Sequence, residues 1–227
     1  MGRARLVTRL CFASIEDVIW ITAIARGRTL NLDEPSAIVD WRKKERRRLL
    51  EERRTMPLDA YLAACEEIME ALVQRLPPAS HPLIGCYWPF RREFNCVPYM
   101  QEVLRCGGRV ALPVVIARGH PLEFRCWREG AAMEAGVWNI PHPASGPAVS
   151  PTALVVPLVG FDEAGYRLGY GAGYYDATIA NYAERPFAIG VGFEFSRLAT
   201  IHPQPHDRPM NAIITETGTR EWAHSLS

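Results

Sequence analysis

Residues 153–176 read ALVVPLVGFDEAGYRLGYGAGYYD, and this stretch decides the fold class. Residues 153–159 form an apolar, β-branched run, which is typical of a central strand buried on both faces. A turn and a glycine-rich loop follow, and a helical segment begins at Tyr174. A buried strand followed by a loop and a helix predicts an α/β domain with a parallel sheet.

The same alternation extends over the rest of the chain. Helical spacing of apolar residues and proline or glycine stops predict helices over residues 35–54, 58–76, 97–106 and 174–182. Short apolar runs predict strands over residues 83–88, 109–115, 122–127, 153–159, 187–193 and 211–215. Strands that alternate with helices imply a three-layer α/β domain with a mostly parallel sheet.

Composition excludes several classes of protein. The 227 residues are enough for one well-buried α/β domain, and the formal net charge is +1. A net charge so close to zero gives no global field that would attract nucleic acid or a membrane surface. No apolar run reaches the ~18 residues that suggest a membrane span. We therefore expect no nucleic-acid partner and no membrane partner.

The six cysteines form no CxxC pair and no zinc-like spacing with the histidines. Several lie in apolar, strand-like surroundings. We interpret them as reduced core residues, which predicts a cytoplasmic protein.

The N-terminus differs in character from the rest. Residues 1–30 carry five arginines and only a short apolar run, over residues 18–25. We expect residues 1–34 to be a dispensable extension and residues 35–220 to form a single domain. A small helix that packs on this domain is the alternative.

The glycine-rich loop predicts an anion site. Gly169, Gly171 and Gly173 can adopt positive φ and leave backbone N–H groups exposed just before a helix N-terminus. Arg167 adds a guanidinium fork that suits phosphate oxygens. A P-loop would need Lys-Ser or Lys-Thr after its last glycine, where Tyr174 stands, and the G-x-G-x-G spacing is not the dinucleotide fingerprint. On spacing alone, a tight strand-to-helix turn is the other interpretation.

Asp176 adds a possible metal ligand to this loop. A carboxylate in the first turn of a helix ordinarily stabilises the helix dipole. Beside bound phosphates it would be repelled unless a divalent cation lay between them, and Mg²⁺ is commonly held by one or two carboxylates plus substrate phosphates. The loop therefore predicts a nucleotide–Mg²⁺ site.

Residues 42–48 carry six basic side chains and one acidic one. Arg42 and Arg46 are four residues apart on one face of the predicted helix, and Arg53 falls on the same side two turns later. The face could be solvated, with nearby glutamates in partial compensation, or it could bind ATP phosphates or an RNA backbone. The aromatic residues expected of a single-strand binder are missing.

Taken together, four segments resemble the 5-formyltetrahydrofolate cyclo-ligase (methenyltetrahydrofolate synthetase) family. They are WRKKERRRLLEERRTMP (41–57), YWPFRREFN (87–95), VWNIPHP (137–143), and VPLVGFDEAGYRLGYGAGYYD (156–176) with the tail HPQPHDRPMNAIITE (202–216). The resemblance runs from about Asp40 to Glu216. The string R-L-G-x-G-x-G-Y-Y-D is the specific part.

The resemblance implies a Rossmann-like domain of the NagB/RpiA/CoA-transferase type, ATP as co-substrate and Mg²⁺ as cofactor. It implies that the formyl oxygen of 5-formyltetrahydrofolate is phosphorylated and that a neighbouring amine then closes the ring to 5,10-methenyltetrahydrofolate. It also implies a monomer that binds only these small molecules.

The site residues are carried over by motif. The resemblance assigns ATP binding to Arg42, Lys43, Arg46, Arg167, Leu168, Gly169, Tyr170, Gly171, Ala172, Gly173, Tyr174 and Tyr175. It assigns folate binding to Arg46, Trp88, Glu93, Trp138, Tyr174 and Tyr175, catalysis to Arg167, Tyr174 and Glu93, and the metal to Asp176 and Asp207. Without the resemblance, Glu93 could be a surface loop acid and Trp138 a core aromatic residue.

Four positions depart from the family pattern, namely Asn95, His142, Ala172 and Asn211. They leave open a changed efficiency or a drifted substrate. The hypothesis from a different class is a family-like fold that has lost catalysis and binds RNA or a protein partner through the basic helix. An ATP-dependent ligase that acts on another formylated amine is a third option.

Overall fold

A computed structural model describes residues 35–223. The chain divides into two compact units, Met1–Asp40 and Trp41–Ser227. The contacts reported below belong to the second unit. The expectation that residues 1–34 are a dispensable extension concerns a segment outside the described residues.

Four α-helices lie within the described residues, and their positions confirm the helices predicted from sequence. They are α1 (Pro35–Thr55), α2 (Leu58–Arg75), α3 (Val97–Arg105) and α4 (Tyr174–Asn181). Helix α2 begins directly after Pro57 and buries Ala64, Ile68 and Leu72, which are spaced four residues apart on one face. Residues 35–223 contain no helix that is both long enough and apolar enough to cross a membrane.

The central sheet has eight strands in the order β13-β12-β10-β7-β1-β2-β3-β6. The strands are β1 (Ile84–Gly85), β2 (Val110–Val114), β3 (Glu123–Trp127), β6 (Ala148–Val149), β7 (Ala153–Pro157), β10 (Phe187–Val191), β12 (Ala212–Thr215) and β13 (Gly218–Glu221). The five strands from β12 to β2 pair in parallel. Strands β13, β3 and β6 join the edges in antiparallel pairs.

Strand β7 shows why the domain has three layers. Ala153 and Val155 pack in the cluster that contains the buried residues of α2 and α3. Leu154 and Val156 pack in a second cluster that contains Ile179 of α4. Because successive side chains of a strand point to opposite faces, the helices cover both faces of the sheet. This confirms the three-layer α/β fold with a mostly parallel sheet.

Strand β3 differs from the largely parallel expectation. It pairs antiparallel with β2, with Val110 opposite Trp127. The connection between the two strands spans residues 115–122, whereas a parallel crossover needs a dozen residues or more. The length of this connection therefore fixes a hairpin.

Two small sheets lie beside the main one. Strands β8 (Gly160–Asp162), β9 (Arg167–Leu168) and β11 (Arg197–Leu198) form one, and β4 (Met133–Ala135) and β5 (Pro141–Pro143) form the other. Arg167 and Leu168, which the sequence interpretation placed in the phosphate loop, are thus buried strand residues. The loop itself begins at Gly169.

Candidate active site

A cavity of about 430 Å³ lies beside the carboxyl ends of the parallel strands β1, β2 and β7. Tyr87 and Trp88 line it just after β1, Val115 lines it just after β2, and Pro157 ends β7. This is the edge at which open parallel α/β sheets bind their ligands. All of the site residues that the sequence interpretation named line this cavity, except Lys43, which is exposed on α1 and does not line it.

The glycine loop forms one wall of the cavity. Gly171 has φ +98 and Gly173 has φ +68, conformations that residues with a Cβ rarely adopt. Gly173 immediately precedes α4, so the N-terminus of that helix opens beside the loop. Backbone N–H groups at such a helix start favour an anion.

Arg46 of α1 packs against this loop. Its Nε donates to the carbonyl oxygen of Gly169 at 2.6 Å. A Cβ added at Gly171 would lie 3.3 Å from the guanidinium carbon of Arg46, so the arginine packs closely on the loop. Burial, together with the neighbouring charge of Arg42, lowers the pKa of Arg46. An anion at this place would relieve both effects.

Two ion pairs lie on the same wall. Arg42 pairs with Asp207 at 2.5 Å, and Arg167 pairs with Asp176 at 3.0 Å. Burial alone would raise the pKa of Asp207, but the hydrogen bonds from Arg42 and the backbone N–H of Gln204 outweigh it and lower that pKa. Asp207 is therefore an ionised carboxylate at neutral pH.

The two carboxylates suit a magnesium ion in chemical type and in placement. Oδ1 of Asp176 accepts hydrogen bonds from Arg167 and from the backbone N–H of Arg208, and within residues 35–223 no hydrogen bond reaches its Oδ2. Asp207 lines the same cavity. No group of three or more His, Cys, Asp or Glu side chains in that same part of the chain could hold a metal by itself. A metal here would thus need ligand oxygens from a phosphate, as Mg²⁺ commonly does.

Aromatic rings form a second wall of the cavity, and one of them, Tyr170, comes from the glycine loop. Phe90 and Trp138 are nearly parallel, with 6.2 Å between ring centroids and 9° between ring planes. Tyr170 lies 5.6 Å from Trp138 and 6.1 Å from Phe90. Trp138 is 49% exposed, which is the exposure of a cavity rim and not of a core residue. Flat rings of this kind offer stacking surfaces to a planar ligand.

Glu93 also lines the cavity. It is 4% exposed, and its Oε2 accepts the backbone N–H of Phe90 at 2.8 Å. The intervening residues Arg91 and Arg92 both have positive φ, at 48° and 56°. Burial raises the pKa of Glu93 to about 7. A strained turn thus holds a carboxyl group in the cavity in an environment where it titrates near neutral pH.

The four positions that depart from the family pattern lie in different places. His142 and Ala172 line the cavity. Asn95 lies just before α3 and accepts the N–H of Val97, and Asn211 accepts the N–H of Ala188 in β10. The latter two therefore have structural partners away from the cavity wall.

The sequence interpretation did not assign Phe90, Tyr87 or His206 to the site, although all three line the cavity. Phe90 and Tyr87 stand inside the segment YWPFRREFN, where their aromatic character was the available signal. His206 adjoins Asp207 in a proline-rich turn and carries no spacing signal of its own.

The fold and this cavity define an α/β enzyme whose cavity is lined by an anion-binding type of loop and by aromatic rings. The sequence model of the 5-formyltetrahydrofolate cyclo-ligase family matches residues 38–216. The chain therefore belongs to the 5-formyltetrahydrofolate cyclo-ligase family.

Relatives and solved structures agree with this membership. The chain is 30% identical over 177 residues to the 5-formyltetrahydrofolate cyclo-ligase of Mycolicibacterium smegmatis, covering 74% of this chain and 89% of the relative. It is 28% identical over 152 residues to the enzyme of the same name from Escherichia coli K12, covering 61% and 80%. The 5,10-methenyltetrahydrofolate synthetase of Aquifex aeolicus superimposes with a TM-score of 0.70 at 25% identity, covering 82% of this chain and 95% of that one.

Proposed function

We propose that this protein is an ATP-dependent ligase of one-carbon metabolism that converts 5-formyltetrahydrofolate to 5,10-methenyltetrahydrofolate, with release of ADP and phosphate. The observation that carries this proposal is that the anion-binding loop, the aromatic rings and the buried Glu93 all line one cavity. The family gives the reaction, and this arrangement supplies a place for each of its two substrates.

The polar wall suits ATP. The backbone N–H groups of the loop and the N-terminus of α4 would receive phosphate oxygens, and Arg46 and Arg167 would add charge-assisted hydrogen bonds. Asp176 and Asp207 would hold Mg²⁺, which neutralises phosphate charge during transfer. Lys43 does not line the cavity, so its proposed contact with ATP rests on the family resemblance alone.

The aromatic wall suits the folate. Trp138, Phe90 and Trp88 offer ring surfaces for the flat pterin, and the carboxylate of Glu93 can accept hydrogen bonds from pterin N–H groups. Tyr174 and Tyr175 lie where the glycine loop meets α4, between the two binding regions.

The reaction joins these two halves. The formyl oxygen attacks the γ-phosphorus of ATP, and the bond to the β-phosphate oxygen breaks to release ADP. The neighbouring amine nitrogen of the folate then attacks the formyl carbon and gives up its proton to solvent, and phosphate leaves with the former formyl oxygen. The protein's part is alignment and charge neutralisation, since phosphoryl transfer needs little covalent chemistry from side chains.

The alternative of a nucleic-acid binder on the basic helix has less support. Arg42 and Arg53 are buried, and Arg46 turns toward the glycine loop. Two of the exposed arginines pair with acids of the same helix, Arg48 with Glu45 and Glu52, and Arg54 with Glu51. Arg42 and Arg46 thus line the cavity and Arg48 and Arg54 are compensated, whereas Lys43 and Arg47 are exposed. A cytoplasmic monomer with no nucleic-acid or membrane partner remains our proposal for the protein's setting.

An absorbance assay tests the proposal. The purified protein is mixed with 5-formyltetrahydrofolate, ATP and Mg²⁺, and the methenyl product is followed by its absorbance. We expect product only when all three are present. Folded protein that binds ATP and yields no product would refute the folate assignment and would leave the ATP site standing.

A further inference from the structure

Arg53 is a buried cation for which the proposed reaction has no role so far. It is 3% exposed, and its Nη1 donates to the carbonyl oxygen of Leu158 at 3.3 Å. Its Nε is buried without a hydrogen-bond partner. Among the ion pairs within residues 35–223, none includes Arg53. A buried guanidinium without a direct carboxylate partner is costly and needs an explanation.

Tyr170 connects Arg53 to the cavity. Nη2 of Arg53 donates to the hydroxyl oxygen of Tyr170 at 2.9 Å. Because that oxygen accepts from the arginine, its own hydrogen is available to the carboxylate of Glu93, and donation from Tyr170 is among the influences that lower the pKa of Glu93. The hydroxyl of Tyr170 thus bridges a buried cation and a buried carboxylate.

The two buried charges compensate each other across this bridge. Glu93 likewise forms no ion pair within the described range, and its other partner is the backbone N–H of Phe90. Burial is the main influence on the pKa of Glu93 and raises it, while the charge of Arg53 is the largest opposing influence. Without Arg53, the carboxyl group would lose the largest of the influences that favour its ionised form.

We infer that Arg53 is the charge partner of Glu93, acting through the hydroxyl of Tyr170, and that it is a positioning residue for recognition of the pterin. The inference rests on the proposed function in one respect, namely that Glu93 meets the N–H groups of a folate. The carboxylate form is the acceptor that those groups require. Arg53 favours that form over the protonated one, and the hydroxyl of Tyr170 lies between the two charges.

Other titratable groups also face Glu93. Tyr170 approaches from the glycine loop, Tyr175 from α4, and Tyr87 from the segment after β1. Burial raises the pKa of each of these tyrosines, so all three stay neutral at neutral pH. Arg53 is therefore the charged group that sets the ionisation of Glu93.

The first test follows the Glu93 carboxyl directly in the ligand-free protein. Carbon-13 NMR of glutamate-labelled enzyme gives its titration curve, with the resonance assigned by its loss in Glu93→Gln. We expect Arg53→Met to increase the proton affinity of Glu93 about tenfold, since a nearby opposite charge shifts a carboxyl pKa by about one unit or more. Tyr170→Phe, which keeps the ring and loses the bridge, shifts the curve in the same direction.

Arg54→Met is the matched control, because Arg54 is exposed and pairs with Glu51 on the outer side of the same helix. It should leave the titration of Glu93 unchanged. If Arg53 were merely structural, its substitution would lower the melting temperature and leave the titration curve of Glu93 unchanged. That result in both Arg53→Met and Tyr170→Phe would overturn the inference. If Arg53→Met does not fold, Tyr170→Phe decides the question by itself.

The second test measures binding of 5-formyltetrahydrofolate without ATP against pH, by the fluorescence of the cavity tryptophans. At about pH 7, Arg53→Met should bind about fivefold more weakly than wild type, and the two should converge by about pH 9, where the carboxyl group is ionised in both. In a Glu93→Gln background, Arg53→Met should have little further effect. Equal loss at every pH contradicts the inference. If the wild-type protein binds no folate at any pH, the proposed function is refuted instead. The NMR titration then decides by itself whether Arg53 is the charge partner of Glu93.

Discussion

At the scale of single residues, Asp176 and Asp207 each lie against an arginine that the phosphates of ATP would also attract. Asp176 retains one oxygen that accepts no hydrogen bond within residues 35–223, whereas both oxygens of Asp207 contact Arg42. The two carboxylates therefore differ in how many of their oxygens are already engaged when a metal ion would bind at the proposed site.

We expect Asp176→Asn and Asp207→Asn each to lower kcat and to raise the Mg²⁺ concentration that half-maximal turnover requires. Excess Mg²⁺ should recover part of the loss, because the remaining carboxylate and the phosphates still hold the ion. Asn211→Ala is the control, since Asn211 bonds the backbone of β10 and should affect stability more than Mg²⁺ dependence. Turnover against Mg²⁺ concentration checks all three. A wild-type curve for Asp207→Asn would leave Asp176 as the one protein carboxylate assigned to the ion.

Gly171 combines a positive φ with close contact to Arg46. We expect Gly171→Ala to lower stability by about 1 kcal/mol, the cost of a left-handed non-glycine residue, and to weaken ATP binding about tenfold because Arg46 must move. Gly130→Ala is a matched control, with φ +74 and no atom within 4 Å of the added Cβ. It should show the same loss of stability with unchanged ATP affinity, as measured by thermal melts and calorimetry. Equal ATP affinities in the two variants would mean that the loop tolerates the change.

At the scale of secondary-structure elements, α1 has an inner and an outer side. Arg42, Arg46 and Arg53 contact the rest of the domain, as their spacing predicts, while Arg47 is exposed and about 100° away from Arg46 around the helix. The inner side carries the contacts to the glycine loop.

We therefore expect Arg46→Ala to raise the KM for ATP about tenfold or more, the loss of a hydrogen bond to a charged group. Arg47→Ala should change it much less. Steady-state kinetics at saturating folate compares the two. Equal effects would indicate diffuse electrostatic attraction by the helix and would strengthen the nucleic-acid alternative.

The long elements could be predicted from sequence and the short ones could not. Strand β7 and helix α2 have enough residues for burial and spacing to leave a pattern. Strand β1 has two residues where residues 83–88 were predicted to form a strand, and β8, β9 and β11 have two or three each. Runs this short show no periodicity, so their pairing depends on contacts that sequence alone does not reveal.

The candidate site divides in the same way. Residues in local motifs, such as Gly171 and Asp176, could be named from spacing and resemblance. The link from Arg53 through Tyr170 to Glu93 joins positions that are up to 117 residues apart, so no local sequence pattern predicts it. Lys43 shows the opposite case, because proximity in sequence to Arg42 and Arg46 did not bring it to the cavity.

At the scale of the whole molecule, the cavity is built from residues between Arg42 and Asp207, and the family match begins at residue 38. We expect a chain that starts at residue 35 to keep wild-type kcat and KM, since it retains every cavity residue. Kinetics and melting temperature of the two proteins check this. An insoluble or inactive truncated protein would show that residues 1–34 belong to the domain.

The two ion pairs of the polar wall also bear on selectivity among cellular anions. An inorganic phosphate that bound Arg42 would leave Asp207 without its partner, and one that bound Arg167 would do the same to Asp176. A divalent cation that bound either carboxylate alone would leave the arginine unpaired instead. Breaking a largely buried pair from one side costs about 3–5 kcal/mol. A ligand that brings both charges together, as a metal–nucleotide complex does, avoids this cost. We therefore expect the pairs to disfavour either ion alone and to favour a complex that brings both charges together.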